Sequence, residues 1–171
     1  GNENVAVGFA ALDANTTGDT NVAVGNNALT SSTTASNNVA VGNSALLSNT
    51  TGTNNVAVGN GALDASDTAS QCTAVGANAL TSNTAENNTA VGKSSMEATT
   101  TGTRNVAVGT NVMASNTEGA DNVVVGAFAM DASTTASSNV AIGSKALTAC
   151  TSGTRLVAVG FEALENSTTA S

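Results

Sequence analysis

The chain has no histidine, tryptophan, tyrosine or proline, and only three of its 171 residues are phenylalanine. Without histidine, a Ser-His-Asp or Cys-His catalytic arrangement is excluded. The scarcity of large rings argues against the core of an ordinary globular domain. No stretch approaches the roughly 20 apolar residues of a membrane span, and no signal-peptide pattern opens the chain. We therefore expect neither this type of catalysis nor direct membrane insertion.

Positive charge is also scarce, because four Lys and Arg residues face twelve Asp and Glu residues, for a net charge of −8. This balance argues against nucleic-acid binding, which needs a basic surface. The carboxylates are scattered rather than paired across a cleft, and the glycines form no phosphate-binding loop. The acidic residues do not follow the repeat of calcium-binding β-rolls either. We expect no enzymatic activity, no cofactor and no metal site.

The two cysteines, Cys72 and Cys150, lack the spacing of metal ligands. In a stack of repeats they would lie about 19 Å apart, at about 4.8 Å per turn, which is too far for a disulfide within one chain. We expect both to be small buried or half-buried side chains, with an interchain bond as the alternative.

A repeated tetrapeptide, Val-Ala-Val-Gly or a close variant, fills the chain from end to end and occurs ten times. Eight of the nine intervals between its glycines are 17 residues, and only the interval from Gly76 to Gly92 is 16. Such a strict period predicts a parallel β-solenoid in which each repeat is one turn. We expect one repeat domain over 1–171, a segment of a longer fibre, with repeats starting near residues 4, 21, 38, 55, 72, 88, 105, 122, 139 and 156.

Within a repeat, counted from Asn4 as position 1, the Val-Ala-Val segment predicts a short β-strand. Its two faces are both apolar, and we expect the valines to fill the core of the coil. The central residue would then point outward and pack against another chain, because alanine allows a close approach. The predicted interface consists of Ala6, Ala23, Ala40, Ala57, Ala74, Ala90, Ala107, Val124, Ala141 and Ala158.

The other positions predict further columns. Gly at position 5 ends the strand, and Asn at position 1 predicts a ladder of hydrogen-bonded amides. Leu or Met at position 9 predicts a second core column, within an Ala-Leu segment expected to form a second strand. The one-residue deletion is expected in a loop near 83–85.

Charge placement agrees with a stack. Position 10 is acidic in five repeats but never in two neighbours, which avoids repulsion along a ladder. Opposite charges are expected to meet in adjacent turns, Arg104 with Asp121 and Lys145 with Glu162.

Threonine recurs at positions 13 and 14, as in Thr16-Thr17 and Thr33-Thr34. A flat threonine array would suit ice binding. The alternative, which we favour, is that these hydroxyls bond to nearby backbone in a turn.

The repeat resembles the head repeats of trimeric autotransporter adhesins, and also those of phage tail fibres and related trimeric bacterial fibres. The segments that carry the resemblance are Asn-Asn-Val-Ala-Val-Gly at 54–59 and Ser-Asn-Thr-Thr-Gly at 48–52. The resemblance implies a left-handed β-roll in which three chains lie side by side. The period of 17 is longer than in adhesin heads, and the extra residues fall in the loop.

These observations lead us to expect a structural or adhesive segment of an extracellular homotrimeric fibre, on a cell surface or virion, that spaces or presents binding surfaces for attachment. One alternative is an ice-binding solenoid. The other is a module that binds a host-cell receptor or glycan, for which Phe9, Phe128 and Phe161 are the candidate recognition residues. For Phe9 and Phe161, in the first and last repeats, the favoured explanation is that they cover the ends of the coil or pack against flanking domains.

Overall fold

A computed structural model describes residues 1–169, so Ala170 and Ser171 of the predicted domain lie outside the described residues. The fold is the predicted all-β parallel solenoid, with no helix among the described residues. Ten three-residue strands form one sheet in chain order, and each strand pairs in parallel with the next. The strands are β1 Val5–Val7, β2 Val22–Val24, β3 Val39–Val41, β4 Val56–Val58, β5 Thr73–Val75, β6 Thr89–Val91, β7 Val106–Val108, β8 Val123–Val125, β9 Val140–Ile142 and β10 Val157–Val159.

Glycine at position 5 ends every strand, as predicted. Its φ lies between 130° and 140° in all ten repeats, a conformation that residues with a Cβ rarely adopt. The next turn also lies very close, because a Cβ on Gly59 would be 2.5 Å from the carbonyl oxygen of Gly76. Backbone conformation and close stacking therefore both require glycine here.

The orientation of the strand is the reverse of the prediction. The central alanines point into the coil, and Ala23 to Ala141 in β2–β9, together with Val124, are fully buried. Ala158 is nearly so, and only Ala6, in the first turn, is exposed. The predicted outward interface is therefore wrong for Ala23, Ala40, Ala57, Ala74, Ala90, Ala107, Val124, Ala141 and Ala158, and Ala6, although exposed in the first turn, pairs in register with the inward Ala23.

The physical reason is the width of the coil. Each turn is a single chain of 17 residues, and its interior must also hold the side chains at positions 8 and 9. Alanine fits this narrow space, whereas two valines per turn would overfill it. The valines therefore occupy the outer face of the sheet.

The predicted core column at position 9 is confirmed, since the Leu and Met residues from Leu29 to Leu147 are fully buried. The predicted second strand is wrong. Position 9 has φ between 49° and 56° in every repeat, and this left-handed conformation interrupts an extended chain. A run of turns instead points positions 8 and 9 both into the core, as with Ala28 and Leu29.

The asparagine ladder at position 1 is also confirmed. In its middle, Asn105 Oδ1 accepts hydrogen bonds from the Asn122 backbone N–H at 3.0 Å and from Asn122 Nδ2 at 3.0 Å. Asn105 Nδ2 donates to the Gly119 carbonyl of its own turn at 2.8 Å. The ladder is interrupted where Cys72 and Leu156 replace asparagine, although each still donates its backbone N–H to the asparagine of the previous turn.

Position 12 forms a second buried column, mostly of Asn and Ser, and its residue type is matched to the Gly or Ala at position 15. Asn49 Nδ2 donates to the Gly52 carbonyl, and a Cβ on Gly52 would lie 2.3 Å from Asn49 Oδ1. Turns with the smaller Ser at position 12 accommodate alanine at position 15, as with Ser133 and Ala136. The pairing of Asn with Gly and of Ser with Ala keeps the filled volume similar in these turns, and the 16-residue turn departs from it, with Asn83 beside Ala85.

The remaining stacking predictions are confirmed. The Arg104 guanidinium donates to the Asp121 carboxylate at 2.6 and 2.9 Å, and Lys145 Nζ lies 3.2 Å from Glu162 Oε1. The 16-residue turn lacks position 14. Thr84 bonds to the carbonyl of Thr100 in the next turn, as residues at position 13 do in other repeats, and the next residue, Ala85, occupies position 15.

Candidate interaction surfaces

The outer face of the sheet carries two columns of apolar side chains, at positions 2 and 4 of the repeat. We call these twenty residues the valine face; all are Val except Thr73, Thr89 and Ile142. Their exposure is partial in the middle of the stack, for example 37% at Val106, and rises to 69% at Val157 in the last strand. This face, and not the alanine row, is the apolar surface that the coil leaves uncovered.

The valine face is long and narrow. Ten strands about 4.8 Å apart give a length of about 43 Å, and three residues at about 3.3 Å each give a width of about 10 Å. The footprint is therefore on the order of 430 Å², the size of the largest apolar patch on a typical monomer, and such a patch is often functional.

One feature of the sequence could have identified this face. Position 2 contains Thr in two repeats, whereas position 3 contains only Ala or Val. A polar residue is tolerated on an outer surface and is costly in a tight core. The choice of residues at the two positions therefore indicates which side faces inward.

The two threonine columns differ in their hydrogen bonds. At position 13, the hydroxyl donates to the carbonyl of the same position in the next turn, as Thr16 does to Thr33 at 2.9 Å and Thr117 does to Thr134 at 3.1 Å. The hydroxyl bonds to backbone, as predicted, but the acceptor lies 17 residues away in the next turn of the coil and not in its own loop. At position 14, exposed threonines such as Thr17 and Thr51 have no hydroxyl hydrogen bond within the described residues.

The three phenylalanines are all exposed, by 80% for Phe9, 41% for Phe128 and 70% for Phe161. Phe9 and Phe161 occupy position 6 in the first and last turns, while Phe128 occupies position 7 in turn 8. The structure therefore does not gather the candidate recognition residues into one site. Their role in recognition stays a prediction.

The two cysteines are buried and free, as expected. Burial raises the pKa of the Cys72 thiol, and N–H groups of Asn88, Asn83 and Asn87 oppose that shift. Burial also raises the pKa of Cys150. Both thiols therefore favour the protonated, unreactive form.

Two carboxyl groups at position 10 are perturbed by the coil. Partial burial raises the pKa of Asp64 and of Asp131, because the charged form loses hydration. Asp121 behaves oppositely, since the hydrogen bond from Arg104 lowers its pKa. The perturbed carboxyl groups lie in different turns and do not converge on a site.

The surface of residues 1–169 has no pocket. Over the same residues, no group of three or more Asp, Glu, Cys or His side chains is arranged to hold a metal ion. The described chain also lacks any helix with the length and apolarity that a membrane crossing requires. The valine face, the position-14 threonines and the phenylalanines are the candidate interaction surfaces of residues 1–169.

Comparison with known proteins adds no family to this description. No protein-family model, curated protein or solved structure matches the chain. The resemblance to trimeric adhesin heads and fibre repeats therefore stays a prediction, and the chain is described by its fold as a β-solenoid repeat protein.

Proposed function

We propose that this chain is a structural segment of an extracellular homotrimeric fibre, in which three parallel solenoids associate through their valine faces. The observation that carries the proposal is the uncovered apolar face, which runs from β1 to β10. A regular coil of stacked turns suits a spacer, because each turn adds the same rise and contacts only its neighbours.

The number of chains in the proposal follows the resemblance of the repeat to trimeric fibre repeats, and the size of the face sets how much surface association buries. Two faces of about 430 Å² each would bury about 860 Å² in one contact. Three faces around a common axis would bury about 1,300 Å² in all, about 430 Å² at each of the three contacts. Closed three-fold symmetry also gives each chain the same environment.

Such a fibre would present every exposed loop three times at each level. Phe9, Phe128 and Phe161 would then form repeated contacts for a host-cell receptor or glycan, where multivalency strengthens weak binding. A spacer role needs no pocket, because the attachment surface is distributed along the shaft.

Light scattering after size exclusion tests the proposal. The trimer has three times the chain mass of 16.4 kDa, about 49 kDa. Val108→Lys places a charge in the middle of the valine face and should give a folded monomer, since a buried unpaired lysine opposes association. Ser115→Lys is the matched control, because Ser115 is exposed and lies outside the face.

A wild-type chain that is monomeric at tens of micromolar would contradict the proposal. So would equal masses for the two lysine variants, because the interface would then not include β7.

Ice binding is the second candidate, and the exposed threonines at position 14 favour it. Thr17, Thr34, Thr51 and Thr68 lie in four consecutive turns, and each is exposed. The column is interrupted at the 16-residue turn, which lacks position 14; it resumes at Thr101 and Thr135, with Glu118 and Ser152 in place of threonine in other turns. Thermal hysteresis that is lost in Thr34→Lys but retained in Val108→Lys would support ice binding over the fibre.

A further inference from the structure

The valine face carries one polar level, at its centre. Thr73 and Thr89 occupy position 2 in β5 and β6, and these two residues are direct partners in the parallel ladder. Each is half-buried, and neither hydroxyl makes a hydrogen bond within residues 1–169. Four strands with valine at this position lie on either side.

A strictly periodic face does not by itself determine how copies align along the fibre axis. Sliding one chain by a whole turn, about 4.8 Å, again places valine opposite valine along most of the face. The loss is only the contact of the overhanging turn, and in a longer fibre that loss becomes a small fraction of the total. Axial alignment therefore needs a residue that differs from the repeat.

We propose that Thr73 and Thr89 fix the axial register of the parallel chains, so that the partner recognised at this level is the same threonine pair of another copy. This inference rests on the proposed trimer. A three-fold axis brings same-numbered residues of the three chains to one level. There the unbonded hydroxyls can donate to and accept from one another.

A register shift of two turns would place every threonine of this pair against valine. Each hydroxyl would then be buried by the interface without a hydrogen-bond partner, which is unfavourable. A single buried polar position selects register in coiled coils by the same mechanism, at some cost in stability. The 16-residue turn lies at the same level, between β5 and β6, and would mark it from the outside of the fibre.

The test moves the threonine pair along the face. The moved variant combines Thr73→Val and Thr89→Val with Val106→Thr and Val123→Thr, which transfers the pair by two turns. All four substitutions use a residue that occupies position 2 in other turns, so the coil should be retained. The moved variant and the wild type, one of them carrying a mass tag, are refolded together and analysed by native mass spectrometry.

We expect each chain to form trimers with its own kind, with mixed trimers reduced to roughly a tenth of the assembly or less. Tagged and untagged copies of the wild type should mix freely and provide the reference. Free mixing of the moved variant with the wild type would overturn the inference while leaving the trimer intact. Monomers in every sample would contradict the proposed function itself, and the register inference with it.

The moved pair also distinguishes parallel from antiparallel association. At the centre of the face, a threonine pair would match its copy in either orientation, but after the move it matches only in the parallel one. A wild type that forms two-chain species which the moved variant cannot form would therefore overturn the parallel arrangement. If the moved variant does not fold, transfer of the pair to Val22 and Val39 provides the same test at the other end.

Discussion

Replacement of Asn105 by alanine should destabilise the coil far more than replacement of a surface asparagine. The Asn105 side chain makes four hydrogen bonds, to the Asn122 backbone N–H, Asn122 Nδ2, Asn88 Oδ1 and the Gly119 carbonyl. Asn116 Nδ2 also donates to the Gly119 carbonyl, so that acceptor keeps a partner. The Asn122 backbone N–H, in contrast, loses its acceptor when the Asn105 side chain is removed, and Asn122 is fully buried.

The expected loss of stability in Asn105→Ala combines the cost of one buried N–H group without a partner, about 1–3 kcal/mol, with the loss of further hydrogen bonds that contribute about 1 kcal/mol each. We expect a decrease of about 3 kcal/mol in the free energy of unfolding, measured by urea denaturation followed by circular dichroism. Asn26→Ala is the control, because Asn26 is exposed and outside the ladder, and it should change the value by less than about 0.5 kcal/mol. Equal effects of the two substitutions, with unchanged hydrogen exchange of the Asn122 amide, would refute the ladder's contribution.

Three further predictions follow from the packing of the turns. Gly59→Ala should prevent or severely weaken folding, because φ is +138° and the new Cβ would lie 2.5 Å from the Gly76 carbonyl oxygen. Gly61→Asn should be tolerated, since Asn78 has a similar positive φ at the same position of the next repeat. Thermal melting of the two variants compares these effects. Gly119→Ala should be destabilising because its Cβ would lie 2.2 Å from the Ala136 carbonyl oxygen and 2.3 Å from Asn116 Oδ1. Adding Asn116→Ser removes only the second contact and should recover part of the loss in a double-mutant cycle, whereas additive losses would argue against the volume match. Asp64→Thr should stabilise the protein at pH 7, because burial raises the pKa of Asp64 and so makes its charged form unfavourable in the folded state. The folded state therefore binds more protons than the unfolded state, and the destabilisation by Asp64 grows as pH rises through the carboxyl range. The stability gained by the substitution, measured by urea titration, should disappear below the ordinary Asp pKa.

The sequence was sufficient to predict the stack but not the orientation of its strands. A fixed 17-residue interval places equivalent residues in register whatever the shape of one turn, so the parallel sheet, the ladder at Asn105 and the pair of Arg104 with Asp121 all followed from spacing. Which side of Val-Ala-Val faces inward depends on the width of the coil. That width is set by the turns, whose geometry the period does not specify.

The turn geometry left a partial signal. Position 7 adopts positive φ in every repeat and position 17 in the nine repeats that contain it, and both are rich in Asn, Asp or Gly, as in Asn54 and Gly61. These residue types are enriched in the left-handed conformation. Position 9 is different, because leucine has no such preference and yet Leu63 has a φ of 52°. Burial of the side chain in the core compensates for this backbone strain, and tertiary packing of that kind cannot be inferred from local sequence.

The most direct test of the account compares a lysine at two neighbouring positions of one strand, Ala107→Lys and Val108→Lys, by the urea midpoint of unfolding. Ala107 is fully buried inside the coil, whereas Val108 is on the outer valine face. We predict that Ala107→Lys abolishes cooperative folding, because no partner for the charge exists in the core, and that Val108→Lys retains a folded coil. A folded Ala107→Lys chain together with an unfolded Val108→Lys chain would contradict the inward alanines and, with them, the valine face as the interface.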